Sequence, residues 1–228
     1  MSQPLLILLP GTDGTAAFFE GLKTALSPHY EVRALAYPQT GDQSYPHLGR
    51  FLLPEIPTNR DYILIGESFG GPLAIWLATH APRKPLKLIL GATFAASPYG
   101  WLGKVAAPLV PLGCFLPLWT WQIRLMLFNG SHHETAQMIH DTVRPVDRRT
   151  LLARVQSVLS CDMRSQLAAL TMPVLSLNAG KDRLIPPFLS RHFGKDIRQV
   201  RLDLPHMIFQ CDPDGITSHH ILPFLCEA

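Results

Sequence analysis

The nine residues Ile63-Leu64-Ile65-Gly66-Glu67-Ser68-Phe69-Gly70-Gly71 constrain this chain more than any other stretch. An apolar run rich in branched residues reads as a strand buried on both faces of a parallel sheet. It runs into a Gly-x-Ser-x-Gly turn, and residues 72–80 continue with helical spacing, with Pro72 tolerated near the helix start. Strand, sharp turn and helix form the context in which Gly-x-Ser-x-Gly presents a nucleophile. The reason is steric. Ser68 must hold a strained backbone conformation for its hydroxyl to stand clear of the sheet edge, and only small residues at 66 and 70 let strand and helix approach closely enough. A serine that merely capped the helix would carry the same five letters, so the rest of the chain has to decide.

That remainder alternates as a parallel α/β sheet does. Strands are expected at 4–10, 31–36, 62–66, 86–91, 172–178 and 198–204, and helices at 16–27, 47–53, 185–193 and 214–226. With 228 residues the chain can bury one sizeable α/β core and carry an insertion. Few charged residues (16 %) and many apolar ones (47 %) suit a sheet covered by helices on both faces. Residues 97–162 break the rhythm. From 105 to 123 no residue is charged, and the length tempts a membrane-helix reading. Pro108, Pro111 and Pro117 interrupt such a helix, and Lys104 and Arg124 flank it. The expected organisation is therefore a core of residues 1–96 and 163–228 with a helical cap at 97–162 whose apolar face covers the site. Trp101, Trp119, Trp121 and Phe128 in the cap, with Gly11 in the core, are candidate substrate contacts, though each cap aromatic could equally pack the interior.

Twenty Lys and Arg against seventeen Asp and Glu give a net charge of only +3, with no long basic run, so nucleic acid is not an expected partner. Arg144, Arg148 and Arg149 read as a solvated helix end. The cysteines at 114, 161, 211 and 226 make no metal-like spacing, and no metal or organic cofactor is expected. The N-terminus lacks a basic region followed by an apolar core and cleavage site, which leads to an expectation of a cytoplasmic protein. Transient membrane or lipid contact through the cap stays open, as does the oligomeric state.

A serine hydroxyl needs a base to take its proton and a third group to orient that base. One arrangement places acid and histidine after the serine, in that order. Asp182 follows the 172–178 strand and His206 follows the last strand, both at the carboxyl edge where open α/β sheets bind ligands. A turn aspartate or a loop histidine is common alone; all three in order on one edge are rare by chance. A tetrahedral intermediate also needs donors for its oxyanion. The backbone N–H of Phe69 and that of Thr12, in the glycine-rich loop after the first strand, are the candidates. Asp13 reads as a turn residue, and Glu67 as structural or acting around the reacting groups.

Leu9-Pro10-Gly11-Thr12-Asp13-Gly14-Thr15, taken with residues 66–71, resembles the α/β-hydrolase superfamily. Within it the chain is similar to small bacterial esterase/lipase-like serine hydrolases related to plant phytyl-ester-synthase-like proteins. The resemblance covers nearly the whole chain outside the cap. It implies an α/β-hydrolase fold, with a roughly six-stranded, mostly parallel sheet and the cap inserted after the strand that follows the nucleophile helix. It also implies a serine carboxylesterase that cleaves small-molecule esters with hydrophobic acyl or alcohol groups through an acyl-enzyme. Two departures are visible: Pro10-Gly11 where the superfamily often has His-Gly, and no strand pair ahead of Leu5. Neither removes a reacting group. Thioesterases, lipases, acyltransferases and receptor-like binding members share the arrangement, so these remain alternatives.

Overall fold

The computed structural model describes residues 3–110, 125–130, 137, 141–144, 146–194 and 196–227. Six strands form one parallel sheet: β1 (Leu5–Leu9), β2 (Val32–Ala34), β3 (Tyr62–Glu67), β4 (Leu88–Gly91), β5 (Val174–Ala179) and β6 (Arg198–Leu202), in the order β2-β1-β3-β4-β5-β6. Helices on both faces explain why β1, β3 and β4 are buried at every position. Leu5, Ile7 and Leu9 of β1 enter one core with Leu48 and Leu73 of α2 (Tyr45–Leu52) and α3 (Gly70–His80). Leu6 and Leu8 enter the other with Leu22 of α1 (Glu20–Leu26), Phe209 and Phe224. The edge strands β2 and β6 keep exposed positions, as edges do. The fold is the α/β-hydrolase fold expected above.

Several boundaries differ from expectation for identifiable reasons. The helix after Ser68 begins at Gly70, so Pro72 is its third residue, where a backbone N–H would have no intrahelical acceptor. The helix expected at 185–193 is a 3-10 turn over Pro187–Phe193, entered through Pro186. The helix expected at 214–226 is broken into Pro213–Ile216, a π-type turn at Thr217–Ile221, and Leu222–Cys226. Pro223 supplies no N–H and its ring crowds the preceding turn, which widens.

After β4 the chain leaves the sheet at Ala96 and returns at Asp162, and these two residues form an isolated antiparallel bridge. Ser97 N donates to Cys161 O and Met163 N to Ala95 O, at 2.8 and 2.7 Å. Between these paired ends lie α4 (Gly100–Ala106) and α5 (Arg148–Ser160). Among the described residues no helix is long and apolar enough to cross a membrane.

Among the described glycines, the closest approach to another backbone atom is at the start of α3. A β-carbon on Gly70 would stand 2.1 Å from the Leu9 carbonyl oxygen, and one on Gly66 would stand 2.4 Å from that of Gly70. Since backbone cannot yield as a flexible side chain can, Gly70→Ala should destabilise the protein by about 3 kcal/mol or more, measurable by chemical denaturation.

Candidate active site

Ser68 sits between β3 and α3 with φ +50°, a left-handed conformation that a non-glycine residue holds only under external constraint. The constraint is visible. Ser68 N donates to Gly91 O at 3.0 Å, Ser68 O accepts from Gly71 N at 3.1 Å, and the Thr93 hydroxyl donates to the same carbonyl. The Phe69 ring is buried between those of Tyr37 and Tyr45, with centroids 5.9 and 4.7 Å away.

Ser68, His206 and Asp182 lie in one hydrogen-bonded line. His206 Nε2 is 3.0 Å from Ser68 Oγ and His206 Nδ1 is 2.7 Å from Asp182 Oδ2, with all three residues buried. With Nδ1 protonated toward Asp182, Nε2 is free to accept the serine proton. Asp182 Oδ1 accepts from the N–H groups of Leu184 and Ile185, each at 2.8 Å, which fixes the carboxylate plane. Burial opposes a charged imidazole at His206, but the Asp182 charge and hydrogen bond outweigh it and Glu67 adds to them, so its pKa is raised above the ordinary histidine value. The site therefore favours the imidazolium that proton transfer from Ser68 would create.

The serine opens on a cavity of about 80 Å³. Gly11 and Thr12 form one wall, and Phe18, Phe19, Leu127 and Met207 make much of the remainder apolar. Thr12 and Phe69 flank the serine in the chain fold, and neither backbone N–H has a partner among the described residues, as oxyanion donors would require. Asp13 is a turn residue: its Oδ2 accepts from Thr15 N and Thr15 Oγ1. Of the expected aromatic contacts, Phe128 is fully buried in a cluster with Phe18 and Met207, so it backs the cavity wall. Trp101 is 72 % exposed on α4 and is not among the lining residues, because α4 turns Gly103 inward against Ser97 and Leu159. Trp119 and Trp121 lie outside the described residues, as does Cys114.

The largest feature that sequence reasoning passed over is Arg154 of α5, which is fully buried. Its Nη1 donates to Thr12 O and Asp13 O at 2.8 and 2.7 Å, Nη2 to Pro38 O at 3.0 Å and Nε to Gln43 Oε1 at 2.9 Å. The guanidinium occupies space that Gly14 leaves open, since a β-carbon there would lie 2.5 Å from Nη1. Thr150 and Ser157, on the same face of α5, donate to Gln39 O and Gln43 O. The Tyr37 hydroxyl adds a bond to Pro10 O at 2.8 Å. The loop carrying Thr12 is thus held from two sides. The spacing Thr150-Arg154-Ser157 is one helix face, a signal present in the sequence, but a polar face normally points to water.

Glu67 also gains definition. Burial pushes its carboxyl up to about 7, against the opposing hydrogen bond from Gln210 and the nearby His206.

Two outcomes follow from these contacts. Arg154→Met leaves Thr12 O and Gln43 Oε1 without a donor and takes the shorter of two donors from Asp13 O and Pro38 O, and should cost about 3 kcal/mol or more in chemical denaturation. Because folding raises the Glu67 pKa, its neutral form stabilises the fold at low pH, and that contribution is lost as pH rises from 4.5 through about 7. Glu67→Gln should therefore unfold with a flatter pH dependence across that window, by up to about 3 kcal/mol, measured by denaturant midpoints at each pH.

No protein-family model matches the chain. A pimeloyl-[acyl-carrier protein] methyl ester esterase of Vibrio vulnificus (strain YJ016) is 26 % identical, over 97 % of this chain and 94 % of that protein. Among solved structures, a hydrolase from Pseudomonas aeruginosa PA01 superposes with a TM-score of 0.83 at 21 % identity, covering 99 % of this chain and 91 % of its own. The enol-lactonase from Burkholderia xenovorans LB400 superposes with a TM-score of 0.80 at 20 % identity, covering 100 % and 93 %. With the six-stranded parallel sheet and the strand–serine–helix turn, the structural similarities show that the chain has the α/β-hydrolase fold.

Proposed function

We propose that the protein is a serine carboxylesterase in which Ser68, His206 and Asp182 carry the reaction. The observation that supports this most is the hydrogen-bonded line of the three at the mouth of a largely apolar cavity. Ser68 Oγ attacks the ester carbonyl as its proton passes to His206 Nε2, and Asp182 holds the imidazole in the required tautomer. The Thr12 and Phe69 amides receive the oxyanion, a contribution worth roughly 3–4 kcal/mol per donor in comparable sites. Arg154 acts through the loop: by holding the carbonyls of Thr12 and Asp13 it orients the peptide units that present the Thr12 N–H. His206 then protonates the departing alcohol and activates the water that releases the acid. Neither half-reaction calls for a metal or organic cofactor.

Residues 97–162 act as the lid over this cavity, with Phe128 behind its wall. The small apolar volume favours a short hydrophobic group on at least one side of the ester. The relatives named for a methyl ester of a carrier-bound acid supply one example of an ester with a small alcohol. Acyl transfer, thioester cleavage and lipase action use the same machinery and differ in which acceptor or leaving group the lid admits.

Hydrolysis of p-nitrophenyl esters from short to long acyl chains tests the reading. The wild type should cleave the short esters, and Ser68→Ala should lower kcat by roughly 10⁴-fold or more. Activity that survives in Ser68→Ala, or none on any ester, would remove the esterase assignment.

A further inference from the structure

Glu67 is a carboxylate that the proposed reaction does not use. It ends β3, directly before the nucleophile, is 3 % exposed, and lines the same cavity as Ser68. Its Oε2 accepts from Gln210 Nε2 at 3.0 Å, and the same amide donates to Phe18 O at 3.2 Å, which pins the glutamate from behind. Oε1, although buried, has no hydrogen-bond partner among the described residues. The neighbouring walls are Phe18, Phe19 and Met207, none of which carries a side-chain donor. A buried acceptor left unpaired destabilises the fold, and an apolar side chain at position 67 would avoid that cost. A carboxylate retained in an apolar pocket beside the reacting atoms is best explained by a partner that arrives with the substrate.

We propose that Glu67 Oε1 is a recognition point for a hydrogen-bond donor on the substrate, so that the preferred esters carry a hydroxyl group within a few bonds of the ester carbonyl. The proposal rests on the ester-hydrolase reading and narrows its substrate class from hydrophobic esters to hydroxylated ones. Discrimination is expected to be large, because a site built to bind a hydroxyl leaves its own polar atom stranded when a methyl group takes the hydroxyl's place. Gln210 has a positioning role: it holds Oε2, so that Oε1 is the carboxylate oxygen without a partner beside the cavity wall.

The test uses ester pairs in which a methyl group replaces the hydroxyl with little change of shape. On the acyl side these are p-nitrophenyl lactate against isobutyrate, and 3-hydroxybutyrate against isovalerate. On the alcohol side the pair is 2-hydroxyethyl against propyl butyrate. Assays at pH 8 keep Glu67 on the ionised side of its value near 7. The wild type should favour the hydroxylated member of at least one pair by tenfold or more in kcat/KM, and the pair showing it tells which side of the ester faces Glu67. Glu67→Met should bring that ratio to about one. A merely structural defect would lower both members of a pair alike and leave the ratio unchanged. Ser68-dependent turnover with no preference in any pair, as when a bound water already satisfies Oε1, would overturn this proposal alone. A preference that persists in Glu67→Met would overturn it as well. Absence of Ser68-dependent turnover on every ester would instead remove the hydrolase reading, and this proposal with it.

Discussion

The pairing of β1 with β3 is the constraint from which the site follows. In parallel register Leu9 lies opposite Gly66, so both strands end at the same height. The loop after β1 and the turn after β3 must therefore emerge side by side. The chain then brings them closer than most sequences allow, with Gly70 against the Leu9 carbonyl and Gly11 near enough that a β-carbon on it would be 3.8 Å from that of Ser68. Nothing larger than glycine fits at position 70. The strained φ of Ser68 is held by this approach together with the bonds to Gly91, Gly71 and Thr93. The sheet also fixes where the partners arrive: β5 and β6 lie beyond β4 in the same parallel order, so Asp182 and His206 reach the serine from the same edge.

Three ionisable groups are packed into this dry edge, and their environments separate them. Asp182 is satisfied by two backbone N–H groups and the imidazole. His206 is stabilised in its charged form by that carboxylate despite its burial. Glu67 has one side-chain donor, Gln210, and burial dominates it despite the nearby Phe209 backbone N–H. The two carboxylates of this small site thus have different surroundings, one ringed by donors and the other by phenyl rings.

The fold was legible because its signals are local. Branched apolar runs, the Gly-x-Ser-x-Gly turn and the alternation of strands with helices each act within a few residues, and order along the chain was enough to pair Ser68 with Asp182 and His206. Boundaries failed where prolines act through helix geometry, at Pro72, Pro186 and Pro223. Arg154 was illegible for a different reason. Its partners are backbone carbonyls at Thr12, Asp13 and Pro38, more than a hundred residues away, and a carbonyl has no letter in the sequence. Glu67 was visible beside the serine, but that one of its oxygens lies buried without a partner depends on which rings surround it.

The Ala96–Asp162 bridge makes the intervening segment resemble a detachable module, joined to the sheet by a narrow neck. Arg154 contradicts that impression. A residue inside the segment supports the backbone of a loop in the core, and Gly14 and Gln43 are shaped to receive it. Recombination at the neck would therefore not yield a neutral exchange of segments: a foreign segment without this arginine would strip the loop of its support while leaving Ser68, Asp182 and His206 in place. The two parts have to be inherited as a pair.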